Sequence, residues 1–346
     1  MQDSQQRSGV TCAGNWIVDH VKLLDHLPGR GMLGSIQSET LGTGGAAFNV
    51  LMDIARMGAD FPLAGLGVVG NDAGRQFVME NCGKFGIDCS GLRVTDEAAT
   101  SYTDVMTDVN TGERVFYHCR GANALFTPED VPREQMGCRI FHLGYLLLLD
   151  ALDQSDDEFG TVAARLLSRV RAQGIKTSVD VVSEDSDRFA RLVPAALRHT
   201  DYLICNEIEA GRTVGMPIRR VDNSLDAGNL VRAVEQLLET GIMELVVVHM
   251  PEGAYLQTRK GKRLSRGALA LPPNYIKGAV GAGDAFCAGM LYGLHEGWEY
   301  DASLQLAGCA AGASLAHPGA TDGMMPLARI RHLACEYAEL PPPVKI

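Results

Sequence analysis

Long apolar runs are missing from this chain. The longest, Phe141 to Leu149, is interrupted by His142 and is far too short to cross a bilayer. Runs of lysine or arginine are missing as well. The 31 basic residues are outnumbered by 42 acidic ones, for a formal net charge of −11. That balance argues against nucleic acid and anionic membrane as partners, although one local nest of backbone amides can still bind phosphate in an acidic protein. No Cys-x-x-Cys occurs. The nine cysteines are scattered and odd in number, which predicts free, mostly buried thiols of an intracellular chain. No His-Glu-x-x-His or paired histidine spacing occurs among nine histidines, so a dedicated protein metal cage is not expected. Residues 1–8 are polar, without the apolar segment of a secretory leader. These absences lead to the expectation of a soluble, cytoplasmic protein.

What remains is ordinary globular composition, 46% hydrophobic and 21% charged over 346 residues. That is long for one domain, but α/β folds reach this length as single units. No internal repeat and no long linker divides the chain, so residues 1–346 are read as one domain.

The most informative segment is Gly278 to Phe286, Gly-Ala-Val-Gly-Ala-Gly-Asp-Ala-Phe. Glycines 278, 281 and 283 precede a stretch, Asp284 to Glu296, that can be helical. A glycine-rich turn feeding a helix exposes several N–H groups at the positive end of the helix dipole, which suits phosphate oxygens. An aspartate at the mouth of such a nest would repel phosphate. It makes sense as a base that takes a proton from an attacking hydroxyl. Asp284 is also a good helix cap, and this segment alone leaves that plainer reading open.

Along the chain, strands are predicted at Val10–Asp19, Ser35–Leu41 and Pro62–Val69. A helix is predicted from about Gly45 to Met57, with Thr43 as its cap, and another from Asp72 to Phe85. Thr100 to Arg120 reads as two alternating runs around a turn, a β-hairpin that interrupts strand–helix alternation and projects as part of a lid. From Arg139 the alternation resumes. Strands read at Ile140–Leu143, Lys176–Val182, Tyr202–Cys205, Leu245–His249 and Ala254–Gln257. Helices read at about Phe159–Ala172, Leu225–Glu239, Ala302–Ala316 and Leu327–Tyr337. Such alternation implies a mainly parallel sheet covered on both faces. Gly289, Gly293 and Gly297 read as a face that lets one helix approach its neighbour closely. Gly65-Leu66-Gly67-Val68-Val69-Gly70 fits a dinucleotide fingerprint, but it extends a strand instead of opening a helix, so that cofactor is not expected.

Three ordered motifs together resemble the ribokinase-like (PfkB) carbohydrate kinases. They are Gly44-Gly45 with Asn49 and Gly67-Val68-Val69-Gly70-Asn71-Asp72 with Gly74; Asn206-Glu207-Ile208-Glu209; and Gly281-Ala282-Gly283-Asp284. They span most of the chain in the family's order. The resemblance implies a three-layer α/β/α fold with a small β-sheet lid, built here from about 35–41 and 100–120. It implies transfer of the ATP γ-phosphoryl group to a primary hydroxyl of a small carbohydrate, with Asp284 as base and the 281–284 amides as anion hole. Asp19, Gly44, Gly45 and Asn49 match the sugar side, where a carboxylate and an amide suit vicinal hydroxyls. Arg120 and Asn123 follow the hairpin and could close over the substrate or simply lie at the surface. Asn206, Gly253, Gly281 and Gly283 fall on the nucleotide side. Glu209 would order a hydrated Mg²⁺ carried by ATP; without the resemblance, Asn206 and Glu209 read as a helix cap and first-turn acid. Relatives often pair their lids, so a homodimer is expected.

The chain departs from the family at named positions. Gly278 replaces an aspartate tied to monovalent-cation activation in relatives, so cation dependence is expected to be weak. Val248-His249-Met250-Pro251-Glu252-Gly253 keeps only Gly253 of the nucleotide strand end, and Asp180 alone remains of an Asp-x-Asn. The ribokinases' Gly-Lys-Gly is missing after Gly44, which speaks against ribose. A nucleoside kinase of the same fold, and a catalytically weak regulatory protein that binds sugar or nucleotide, remain the alternatives.

Overall fold

A computed structural model of the chain describes residues 7–132, 136–184 and 186–346. Most of the polar stretch 1–8 lies outside them. The chain opens with β1 (Val10–Gly14) and β2 (Ile17–Leu24), then β3 (Ile36–Gly44), α1 (Ala46–Arg56), β4 (Leu63–Gly70) and α2 (Ala73–Lys84). Next come β5 (Asp88–Thr95), the hairpin β6 (Ser101–Asp108) and β7 (Arg114–Cys119), and β8 (Ile140–Leu146). A two-residue pair, β9 (Ser155–Asp156) and β10 (Gly160–Thr161), leads to α3 (Val162–Arg171), β11 (Lys176–Val181), α4 (Phe189–Leu197) and β12 (Tyr202–Asn206). The chain continues through α5 (Glu207–Val214), α6 (Ala227–Glu239), β13 (Leu245–Met250), β14 (Gly253–Thr258) and β15 (Arg263–Gly267). It closes with α7 (Ala282–His295), α8 (Tyr300–Ser314) and α9 (Leu327–Glu336).

Nine strands form the main sheet in the order β15-β14-β13-β12-β11-β8-β1-β4-β5. From β5 to β13 every pairing is parallel, and β14 and β15 add an antiparallel edge. Strand residues alternate between two apolar clusters. Ile204 and Val247 face α1, α7 and α8, while Leu203 and Val246 face α3, α5 and α6. Burial on both faces is what produces the near-continuous apolar strands, and it makes the three layers. The glycine face on α7 works as expected at two positions. A Cβ on Gly289 would stand 2.7 Å from Ala307 Cα, and one on Gly293 would stand 2.4 Å from Ser303 Oγ. Gly297 lies beyond the end of α7 and meets no neighbour.

The lid is a separate four-stranded sheet, β3-β2-β6-β7. Here the structure corrects two sequence expectations. Val10–Asp19 is not one strand. The chain turns out of the main sheet at Asn15-Trp16, so Asp19 sits inside β2, paired with Gly42 and Thr103, as part of the lid. The corner is held by Asn123, whose Oδ1 accepts from Trp16 N at 3.1 Å while its Nδ2 donates to Trp16 O at 3.3 Å. Thr43 does not cap α1. It belongs to β3, where its Oγ1 lies 3.0 Å from Thr321 Oγ1, and Gly45 is the residue that precedes the helix. The periodicity also misses α4, which contains Pro194, and β5, which is mostly polar.

Candidate active site

The carboxyl ends of β1 and β8, the start of α1 and the start of α7 converge at one point, as open parallel sheets dispose their ligand sites. Asp284 lies there, in the first turn of α7 and almost fully buried. Its Oδ2 accepts from Asn49 Nδ2 at 2.7 Å and its Oδ1 from the Tyr145 hydroxyl at 2.7 Å. Burial raises its pKa above the usual carboxylate range, and those two hydrogen bonds offset part of the rise. Asn49 Oδ1 is buried and has no hydrogen-bond partner. A buried carbonyl oxygen of this kind suits an incoming donor such as a hydroxyl.

The turn into α7 depends on glycine. Gly281 adopts φ 75°, in the left-handed region, and a Cβ there would stand 2.4 Å from Ala320 O. No side chain among the described residues caps α7; the Ala282 amide donates to Ala279 O at 3.4 Å, and those of Gly283 and Asp284 have no side-chain cap. Amides at a helix start, with the helix dipole, are a placement that suits an anion.

Asp19 faces this cluster from the lid. Burial pushes its pKa up to about 7, against a hydrogen bond from Thr103, and the charge of Asp284 adds to the rise. Gly44 makes room for it, since a Cβ at that position would stand 2.5 Å from Asp19 Oδ1. The next residue, Gly45, leads into α1. The structure therefore brings Asp19, Gly44, Gly45, Asn49 and Asp284 together from segments far apart in the chain. It does not bring Asn123, which the sequence left either closing over the substrate or lying at the surface and which is fully buried on the Trp16 backbone. Arg120 is committed to an ion pair, its Nη1 donating to Asp150 Oδ1 at 2.8 Å.

On the other side of the α7 entrance lies a cavity of about 800 Å³. Asn206, Gly253, Ala282 and Gly283 line it, and Leu269, Ile276 and Phe286 make its apolar wall. His249 also faces it, near Gly283, and burial lowers its pKa to about 4, so the ring is neutral. Asn206 caps α5 with its Oδ1, accepting from Ile208 N and Glu209 N at 2.9 Å each. Glu209 completes the capping box by accepting from Asn206 N at 2.9 Å. The plainer reading of these two residues is thus part of their role. Glu209 is nevertheless unusual for a first-turn acid. Burial pushes its pKa up to about 7, and its charge in turn raises that of buried Asp180. Among the described residues no group of three or more His, Cys, Asp or Glu side chains could hold a metal ion by itself.

Sequence reasoning missed Tyr145. It sits in the apolar run Phe141–Leu149, and its hydroxyl was concealed by that context. The available signal was position: the only phenol in the run, at the carboxyl end of a central strand.

The architecture is a ribokinase-like fold, with a buried carboxylate in the first turn of α7. The pfkB family carbohydrate kinase profile matches residues 8–327, and the chain belongs to that family of phosphotransferases with an alcohol group as acceptor. A 2-dehydro-3-deoxygluconokinase of Bacillus subtilis is 25% identical over 300 residues, 85% of this chain and 87% of its own length. Ribokinase of Giardia lamblia superposes with a TM-score of 0.79 at 17% identity, covering 95% of this chain and 99% of that one. Arabidopsis thaliana ribokinase complexed with ribose and ATP superposes at 0.75 with 21% identity, covering 94% and 98%. No helix among the described residues is long and apolar enough to cross a membrane.

Proposed function

We propose that the protein transfers the γ-phosphoryl group of ATP to a primary hydroxyl of a small carbohydrate. The observation that carries this reading is the placement of Asp284. It stands at the α7 entrance, where its charge raises the pKa of the lid carboxylate Asp19 on one side and the large cavity beside Gly283 lies on the other. ATP occupies that cavity, with its base against the apolar wall and its phosphates toward the amides of Ala282, Gly283 and Asp284. The sugar lies under the lid, where Asp19 and the free Oδ1 of Asn49 read its hydroxyls.

Asp284 removes the proton of the attacking hydroxyl. Asn49 and Tyr145 hold its two oxygens, which orients the base and opposes the pKa rise that burial imposes. The α7 amides stabilise charge on the transferred phosphoryl oxygens. The lid excludes water, which limits hydrolysis of ATP.

Mg²⁺ fits the donor set as a hydrated ion brought by the nucleotide. Two buried carboxylates that repel each other, Asp180 and Glu209, do not line the cavity, but Glu209 is bonded to Asn206, which does, and Mg²⁺ retains most of its water. When bound, it neutralises phosphate charge. Glu209 and Asp180 would hold its water shell.

The cytoplasm, with its ATP pool, suits this activity. ADP release measured with Mg·ATP over a panel of sugars and nucleosides tests the reading. Turnover of a sugar is expected. Sugar binding without turnover, under any nucleotide or metal, would leave a regulatory binding protein in its place.

A further inference from the structure

The lid carries three cationic side chains whose surroundings differ. Lys22 is paired with Asp104 and Glu39, and Arg120 with Asp150 and Glu184. Arg114, the first residue of β7, is half-buried, and no carboxylate of the described residues lies within ion-pair distance of it. Burial lowers its pKa with no opposing charge to raise it. A partly desolvated guanidinium without a partner is costly to keep, because it has given up water without gaining an acceptor.

Its location is specific. Arg114 lines a small pocket with Asp19, Thr43 and Val105 of the lid and with Val280 and Pro318 of the core. Its Nη2 reaches to 2.9 Å from where a Cβ on Gly278 would stand. Gly278 therefore leaves the space that the guanidinium enters. An aspartate at 278 would meet the guanidinium and use up its charge. Asp19 and Arg114 line this pocket without pairing with each other; at about 10 Å³ it has room for about one water, so a ligand would meet the carboxylate and the guanidinium only at its rim.

We propose that Arg114 is the substrate's anion receptor, and that the acceptor sugar carries a carboxylate or phosphate group at the end away from the attacking hydroxyl. This rests on the kinase reading for the reaction, but not for the binding. The planar fork of arginine matches either group with two parallel hydrogen bonds. Asp19 takes hydroxyls of the same molecule, and Arg114 offsets the repulsion between Asp19 and the substrate's charge.

The test is kcat/KM with Mg·ATP for three acceptor sets. One is neutral (ribose, fructose), one bears carboxylate (gluconate, 2-dehydro-3-deoxygluconate), and one bears phosphate (ribose 1-phosphate, fructose 6-phosphate). Wild type should prefer one anionic set, and which one identifies the group. Arg114→Gln should lower the anionic-over-neutral ratio by about tenfold or more, mostly through KM. Arg114→Lys, which keeps the charge but loses the fork, should fall between. A wild-type preference for neutral sugars overturns the proposal. So does an equal loss on all sets, which would place Arg114 on the transferred phosphoryl group instead. If Arg114→Gln fails to fold, the wild-type preference and the Arg114→Lys ratio decide alone. If nothing is turned over, calorimetric titration with the same compounds separates the two ideas. Binding of an anionic sugar that weakens in Arg114→Gln upholds the receptor while sinking the kinase reading. No binding of either anionic set overturns the receptor.

Discussion

Asn49 Nδ2 donates to Asp284 Oδ2 at 2.7 Å, joining two residues 235 positions apart in the chain. The bond links the start of α1 to the start of α7 and so couples the proposed sugar side of the site to the proposed anion hole. Asn49 has one oxygen left over, and Asp284 has its second oxygen on Tyr145. The proposed base is held at both oxygens, a form of preorganisation that would reduce the cost of reaching the transition state.

Replacing Asp284 by Asn removes the proton acceptor and little else. The amide has nearly the same shape, so the fold and the α7 amides should survive. General-base help is worth about 10²–10⁴-fold, and kcat should fall by roughly that range with little change in KM. A helix cap would tolerate Asn at almost no cost. Retention of more than about a tenth of wild-type kcat, with chemistry rate-limiting, would remove Asp284 from the mechanism.

Tyr145→Phe tests the second bond to the base. The Tyr145 hydroxyl opposes the rise that burial imposes on the Asp284 pKa. Without it the carboxyl should hold its proton to higher pH, so the acid limb of the kcat profile should move upward. An unmoved limb would show that Asp284 does not control that limb.

Asp19→Asn should change how stability depends on pH. The folded pKa of Asp19, about 7, lies above its ordinary value of 3.8, so the folded state binds the extra proton. Its contribution is complete below pH 3.8 and is lost as pH rises through about 7. The variant cannot suffer this loss. Its melting temperature relative to wild type should therefore rise steadily from about pH 4 to about pH 7 and level off above. A difference independent of pH would mean that Asp19 ionises normally in the folded protein.

Dependence on potassium should be weak. Gly278 offers no carboxylate at the position tied to monovalent-cation activation in relatives, and the Arg114 guanidinium approaches that position. Rates in potassium and in a large organic cation at matched ionic strength should be similar. A large drop in the organic cation would show an ion site built from other groups.

The lid should pair with its copy in a homodimer. Its sheet exposes Ile36, Leu41, Phe116 and Tyr117, each more than half or about half accessible, and its edge strands β3 and β7 have no outer partner among the described residues. Light scattering of the chain at micromolar concentration, and of a variant with a shortened β6–β7 hairpin, checks this. A monomeric wild type counts against it.

The layer architecture was legible in the sequence because it rests on local signals. Strand–helix alternation, apolar strands such as Leu245–Met250, and the glycine turn before α7 each report their own segment. The hairpin at 100–120 was legible for the same reason. Residues close in sequence face a limited set of conformations, and side-chain periodicity reads them out.

Tertiary structure decided what depends on contacts between distant segments. The break at Asn15-Trp16, which moves Asp19 from the core sheet to the lid, is stabilised by Asn123, and no local pattern near Trp16 announces it. Tyr145 becomes a ligand of Asp284 only because β8 lies beside β1 and ends below α7. Whether Arg114 is paired depends on Gly278 and on the loop at Pro318, both distant in sequence. The pKa of Asp19 near 7 arises from burial that the lid creates. Composition and spacing specify which groups a chain possesses. Desolvation and partner geometry, which set their chemistry, exist only once the chain has folded.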